Sequence, residues 1–365
     1  MKKLLVLANS DSAIFKFRQE LISALAESFH IGLAIPFGQY MDEINNAAYD
    51  FFDVPVNRHG MNPVEDLGLM KKYDRIISQF QPDVVLEYTI KPNLYGSMVC
   101  AKKQIPCLCN ITGLGSALEK SSALQKLLIK MYKCAMKEVD TIFFQNSAGR
   151  DFFKNHKIGQ EKQYVLLPGS GVNLERYHPI DYPVKGTQKF LYVARIIKEK
   201  GIEEFLNVAE RFHIEGLSAE FHICGACEEE YLERLNKLNT EGMIVYHGLV
   251  KDMRDIYAQS TCVVLPSYYP EGQSNVLLEG AASARPLITT DHPGCREAVD
   301  DGVSGFLVKK RDANDLYIKM KKVYYMSCEE REKMGIQGRR KMERTFDRNI
   351  VINIYIERLK KIGLI

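Results

Sequence analysis

Short apolar runs alternate with longer amphipathic stretches along this chain, and the whole series occurs twice. That alternation constrains the fold more than any other feature. Runs at 3–8, 30–35, 83–87, 106–111, 141–144 and 164–167 are rich in Val, Ile, Leu and Phe. Strands covered by helices on both faces read this way, because neither face of the sheet is left to water. Between the runs, 14–29, 63–80, 93–103 and 123–139 carry apolar residues at helical spacing. The pattern predicts a doubly wound parallel sheet. Pro168-Gly-Ser-Gly171 interrupts it, Pro179 and Pro183 follow, and 169–188 reads as a linker. A second series then begins. Its strands are expected at 190–194, 219–224, 243–247, 261–265, 287–290 and 305–308. Its helices are expected at 201–213, 228–239, 252–259, 274–284, 312–326 and 329–345. Two α/β domains are therefore predicted, 1–168 and 189–346. The tail 347–365 has Ile350, Val351, Ile354 and Leu359 at roughly helical spacing. It reads as a helix that either packs locally or returns to the first domain.

The bulk numbers fit this division. A chain of 365 residues is longer than one core usually serves. Lys and Arg total 49 against 46 Asp and Glu, so no basic excess points to nucleic acid. The nine cysteines are odd in number and mostly lie in apolar runs, which suits a reducing compartment. Cys224-Gly-Ala-Cys227 has CxxC spacing, but no second pair or nearby His completes a zinc set. Cys107 and Cys109, two residues apart on one strand, are expected to share a face. Met-Lys-Lys-Leu-Leu-Val-Leu-Ala at the N-terminus reads as a first buried strand, since its apolar core is short for a signal peptide. No apolar run approaches the roughly 20 residues that cross a bilayer.

Chemistry concentrates in the second series. Glu271 and Glu279 flank Gly-Gln-Ser-Asn-Val-Leu-Leu, the first after a strand and a loop, the second inside the following helix. Ser274 stands near the N-cap. A helix start offers unpaired N–H groups and a positive partial charge, which suits phosphate, while carboxylates suit sugar hydroxyls. Upstream, Arg195 and Lys200 bracket the end of the first strand of this series. Ligands of open α/β sheets bind there. Two cations at that point would stabilise a departing diphosphate more than the bound ground state.

Together, the E-x7-E spacing, the R-x4-K pair and the run 265–308 resemble the retaining nucleotide-sugar glycosyltransferases of family four, which have the GT-B fold. The resemblance implies two Rossmann-like domains facing a central cleft, with the last helix crossing back to the first domain. It implies that Arg195, Lys200 and Glu271 serve catalysis, with Glu271 holding donor-sugar hydroxyls. It implies that Gly272, Gln273, Ser274 and Asn275 offer backbone N–H groups to sugar and diphosphate. Glu279 would accept both ribose hydroxyls, and Leu249 and Val250 would hold the base. The chain lacks a D-x-D sequence, so no metal or other cofactor is expected. Retention in this family is explained by front-face attack without a protein nucleophile.

The first series departs from the family average. Many relatives have a glycine pair after the first strand; here the loop is Asn9-Ser-Asp-Ser-Ala13. Tyr88-Thr-Ile-Lys-Pro-Asn-Leu-Tyr-Gly96 and Asn110-Ile-Thr-Gly-Leu-Gly115 resemble the branch that builds bacterial capsule, O-antigen and lipid-linked oligosaccharides. That branch implies a UDP-sugar donor, with N-acetylgalactosamine (GalNAc) the best single choice, and a polyprenyl-diphosphate-linked saccharide as acceptor. Asn9, Ser10, Arg18, Lys91, Thr112, Gly113 and Gly115 are the residues expected near the acceptor and cleft; ordinary loop chemistry explains both strings equally well. Lys126, Lys130, Lys133 and Lys137 form a basic stripe, with Leu124, Leu127, Leu128 and Met131 assigned to the opposite face. The stripe is either a solvated helix face or a dock for anionic lipid. A lipid-linked acceptor implies a cytoplasmic protein on the inner face of the cell membrane. The rival functions are a sugar-nucleotide epimerase on the same fold, a dinucleotide-dependent oxidoreductase, and a catalytically silent nucleotide-sugar-binding module. The oxidoreductase is disfavoured because no G-x-G-x-x-G follows the first strand.

Overall fold

The structure is a computed structural model that describes residues 1–44, 48–57, 62–115, 118, 122–183, 186–227 and 229–365. The chain divides into two units, Met1–Ser170 with Asn349–Ile365, and Gly171–Arg348. Residues from Gly171 onward in the segment read as a linker thus belong to the second unit, and 184–185 lie outside the described residues.

The first unit holds a seven-stranded parallel sheet in the order β3-β2-β1-β4-β5-β6-β7. Its strands are β1 Lys2–Leu7, β2 Phe29–Ile35, β3 Asp50–Asp53, β4 Val84–Tyr88, β5 Cys107–Ile111, β6 Thr141–Phe144 and β7 Tyr164–Leu166. The central strands are buried along most of their length, which is why they read as unbroken apolar runs. β3 is an addition. Asp50-Phe-Phe-Asp53 is an edge strand with half-buried phenylalanines and exposed acids, and no apolar run announces it. The helix Ser147–Asn155, opened by an Asn146 side chain that accepts from the Gly149 N–H, is a second addition. The tail helix Arg348–Lys361 packs on this unit from Asn349 onward. Val351, Tyr355 and Leu359 enter its core, and Tyr355 hydrogen-bonds Asn110.

The helix Ala123–Ala135 corrects one expectation. Its inward face is Leu128, Tyr132 and Ala135. Leu128 and Met131 do pack toward the core, but Leu124 and Leu127 are 38% and 49% exposed, and Lys126, Lys130 and Lys133 are exposed as well. The apolar arc in the sequence is wider than the stripe the sheet covers. The helix also stops before Lys137, which lies in a 3-10 turn, Met136–Glu138.

Cys107 and Cys109 both enter the core on one face of β5, beside the fully buried Glu87. Ser97 Oγ lies 2.6 Å from Glu87 Oε2 and 2.7 Å from the Asn93 carbonyl. A hydroxyl has one proton, and a carbonyl only accepts, so the carboxyl must supply the other. Burial accordingly pushes Glu87 well above the usual carboxylate range, and it is a neutral acid in the core.

The second unit holds a six-stranded parallel sheet, β10-β9-β8-β11-β12-β13. The strands are β8 Gln188–Val193, β9 Ala219–Cys224, β10 Val245–Tyr246, β11 Cys262–Leu265, β12 Leu287–Thr290 and β13 Gly305–Val308. Strand order reverses between β8 and β11. At such a switch point the connecting loops diverge and leave a crevice at the carboxyl ends of the strands. The residues after β8 and after β11 are the ones singled out by the sequence. Glu228, the expected start of one helix, lies outside the described residues; the helix observed is Glu229–Thr240.

Candidate active site

Two segments build the centre of the site. β8 ends at Val193, and the chain turns through Arg195 into a 3-10 turn, Lys198–Lys200, before the helix Ile202–Ile214. Gly201 joins turn to helix at φ 81°, where a Cβ would lie 2.3 Å from the Pro266 carbonyl oxygen. Only glycine permits that approach, and it presses the Lys200 turn onto the loop that follows β11. That loop carries Tyr269 and Glu271. The Lys200 ammonium pairs with Glu271, both largely buried, and stands 4.9 Å from the Tyr269 ring centroid. The exposed Arg195 guanidinium stands 5.5 Å from the same ring. Arg195, Lys200 and Glu271 are thus gathered around Tyr269, a residue the sequence reading passed over. Its aromatic face steadies both cations.

The second acid, Glu279, lies in the helix Asn275–Ala282. It is half-buried, and its Oε2 accepts the Tyr257 hydroxyl at 3.1 Å. Burial pushes its pKa up to about 7, opposed by the Tyr257 and Tyr177 hydroxyls and by the charges of Arg348 and Arg176. Leu249, 58% exposed, and half-buried Val250 follow the short β10.

The helix start departs from expectation at Ser274. Its hydroxyl does not cap the helix, and its N–H is engaged by the Gly294 carbonyl at 2.8 Å. Ser274 is therefore removed from the expected set of backbone donors. Gly294, at φ 86°, sits where a Cβ would lie 2.6 Å from the Glu271 Cβ. The loop after β12 therefore packs directly on the Glu271 loop and brings His292 with it. His292 Nε2 meets the Tyr269 carbonyl at 3.1 Å. Sequence spacing gave no sign of Tyr177, Tyr257 or His292, because each arrives from a different element. Among the described residues this constellation holds no cluster of metal-ligating side chains; the one such group, Glu87, Cys100 and Cys107, is buried in the other unit.

The first-unit candidates do not assemble comparably. Ser10 caps the helix Asp11–Ala26. Arg18, expected to reach an open cleft, is 7% exposed; its Nη1 donates to the Phe17 carbonyl and it lies over the Tyr88 ring. Lys91, expected to meet an acceptor phosphate, is paired with Asp66 at 2.7 Å. Asp66 also accepts the Tyr95 hydroxyl. The pair lines a cavity of about 630 Å³ with Asn57, Leu69 and Lys72. Asn9, Thr112, Gly113 and Gly115 are half-buried in the loops after β1 and β5, with Gly113 and Gly115 at φ 140° and 68°.

Residues 187–325 match the family model described as glycosyl transferases group 1, and residues 3–146 match the model described as glycosyl transferase 4-like. The chain belongs to the family four glycosyltransferases. Its fold class is GT-B, two Rossmann-like α/β units. This glycosyltransferase is 22% identical to the N,N'-diacetylbacillosaminyl-diphospho-undecaprenol alpha-1,3-N-acetylgalactosaminyltransferase of Campylobacter jejuni, over 96% of each chain. It is 27% identical to a capsular polysaccharide biosynthesis glycosyltransferase of Staphylococcus aureus, over 78% of each. Among solved structures, the Anabaena HepE protein in complex with UDP and glucose superimposes with a TM-score of 0.80 at 14% identity, covering 99% of this glycosyltransferase and 100% of that chain. Both of these curated relatives are bacterial glycosyltransferases.

Proposed function

We propose that this glycosyltransferase moves an N-acetylhexosamine, GalNAc being the first choice, from a UDP-sugar to a polyprenyl-diphosphate-linked saccharide, with retention of anomeric configuration and without a metal. The observation that carries the reading is the gathering of Arg195, Lys200, Tyr269 and Glu271 at the switch point of the second sheet. The activity of the Campylobacter jejuni relative, an N-acetylgalactosaminyltransferase acting on a diphospho-undecaprenol-linked sugar, supports the choice of sugar and acceptor.

The geometry serves the chemistry as follows. As the bond from the anomeric carbon to the diphosphate breaks, negative charge grows on the leaving oxygens. Arg195 and Lys200 stand ready to meet that charge, in the role a metal ion plays elsewhere. Glu271 positions the sugar through its hydroxyls and, in the free protein, keeps the Lys200 ammonium oriented. The acceptor hydroxyl attacks from the face the diphosphate leaves, and its proton passes to the departing phosphate oxygen. Glu279 receives ribose hydroxyls, and exposed Leu249 gives the base an apolar floor.

A lipid-linked acceptor needs an enzyme close to a bilayer. No helix of the described residues is long and apolar enough to cross one. The helix Ala123–Ala135 offers a different contact. Exposed Leu124 and Leu127 among Lys126, Lys130 and Lys133 suit insertion beside anionic headgroups.

Release of UDP tests the reading. N-acetylhexosamine and hexose donors, presented with lipid-diphosphate disaccharide acceptors, should give acceptor-dependent UDP release that survives EDTA. Release without acceptor, or activity that EDTA abolishes and magnesium or manganese restores, would overturn it.

A further inference from the structure

We propose that the side chains of Gln273 and His292 read the amide substituent of the donor sugar. The proposal rests on the N-acetylhexosamine reading above and names the residues that enforce it.

Both side chains are more than nine-tenths buried, at 5% and 6% exposure. Neither the amide oxygen nor the amide nitrogen of Gln273 has a hydrogen-bond partner, and neither does His292 Nδ1. The His292 tautomer follows from its other nitrogen. Nε2 faces the Tyr269 carbonyl, which only accepts, so Nε2 carries the proton and Nδ1 is a bare acceptor. Burial lowers the His292 pKa to about 4, so the ring stays neutral at physiological pH. Both residues flank Glu271. Gln273 is two positions along its loop, and His292 lies on the loop that Gly294 locks against Glu271 and Gly272. The Ser274 N–H on the Gly294 carbonyl fastens the two loops together.

Buried polar groups without partners destabilise a free protein, and natural proteins keep few of them. Here three such atoms occur on two loops that meet at the expected sugar pocket. Their chemistry specifies the missing partner. Gln273 offers N–H donors and a carbonyl acceptor, and His292 offers an acceptor. An acetamido group presents one carbonyl and one N–H. Its carbonyl takes an N–H of Gln273, and its N–H goes to Gln273 Oε1 or His292 Nδ1. A hydroxyl carries its donor and acceptor on a single atom close to the ring, so it does not extend to both side chains as an acetamido group does. Sites built to hydrogen-bond a substituent discriminate strongly against analogues that lack it.

The test compares each N-acetylhexosamine donor with its parent hexose donor, in the galacto and gluco series, by kcat/KM. Gln273→Met keeps the shape of the side chain and deletes the amide. His292→Leu deletes the acceptor, and His292→Asn retains a polar atom near the Nδ1 position. The wild type should favour the N-acetylhexosamine donor. Gln273→Met and His292→Leu should each lower that preference by about tenfold or more, with UDP affinity within about twofold of wild type. His292→Asn should restore part of it. Gln273→Met should also raise the Tm of the ligand-free protein by about 2 °C, because it removes an unpaired buried amide. A preference unchanged in both variants overturns the proposal and leaves the donor reading intact. UDP affinity falling as much as the preference also overturns it, since the residues then only hold the loop. A wild type that favours parent hexoses defeats the donor reading and this proposal with it.

Discussion

At the scale of single residues, the site is a set of charges whose states depend on what is bound. Glu279 is the clearest case, with a pKa near 7 in the free protein against the ordinary carboxylate value of 4.5. The sign for folding follows from the raised value. Between about 4.5 and 7 the folded protein holds this proton more tightly than the unfolded chain does. Glu279's contribution to stability is therefore fully present below 4.5 and declines as pH rises toward 7. In the proposed ribose-binding role UDP binding runs the other way, because an ionised carboxylate accepts hydroxyls and a neutral acid accepts them poorly. Calorimetric titration should show UDP binding on the order of tenfold weaker at pH 6 than at pH 8. Glu279→Gln should bind more weakly at pH 8 and lose this group's share of the pH dependence. Identical pH profiles for the variant and the wild type would remove Glu279 from the ribose. The two acids and two cations stood out in the sequence because each pair lies within one local segment, the cations at the end of a strand and the acids across a loop and the start of the next helix. Tyr177, Tyr257 and His292 did not, because the sheet brings them in from separate segments. The reading of Arg18 failed for a related reason. Helical position gives a direction, but it does not say that Tyr88 fills the space there.

Among the elements, the strands of both sheets were read closely where helices cover both faces. Edge positions were harder. β3 is bracketed by aspartates, and β10 has only two paired residues, Val245 and Tyr246, where five were expected. The helix Ser147–Asn155 escaped notice because only Phe152 and Phe153 are large and apolar in its nine residues. In the helix Ala123–Ala135, Leu128 and Met131 face the core as expected, whereas Leu124 and Leu127 are exposed, which makes it a better membrane element. Reversing Lys130 and Lys133 to Glu should weaken binding to anionic vesicles severalfold, and wild-type binding should fall steeply with salt. Turnover on a long-chain lipid acceptor should drop, while turnover on a short, water-soluble acceptor should hold. Equal losses on both acceptors would mean damage to the fold, and no loss on either would leave the stripe as a solvated face.

For the whole molecule, each unit carries its own parallel sheet and core, and the residues proposed to hold the nucleotide-sugar all lie in the second unit. The repeated pattern of strand and helix made that division readable, since two sheets need two separate series of apolar runs. The central claim is that Arg195 and Lys200 act on the diphosphate as it leaves, in place of a metal. Steady-state UDP release by Arg195→Ala and Lys200→Ala, in the presence of EDTA and lipid-linked acceptor, measures this most directly. The account predicts that each substitution lowers kcat by on the order of a hundredfold, with the donor KM changed far less, because the charge they meet develops in the transition state. Near wild-type kcat in either variant, with the loss confined to KM or absent, would contradict it.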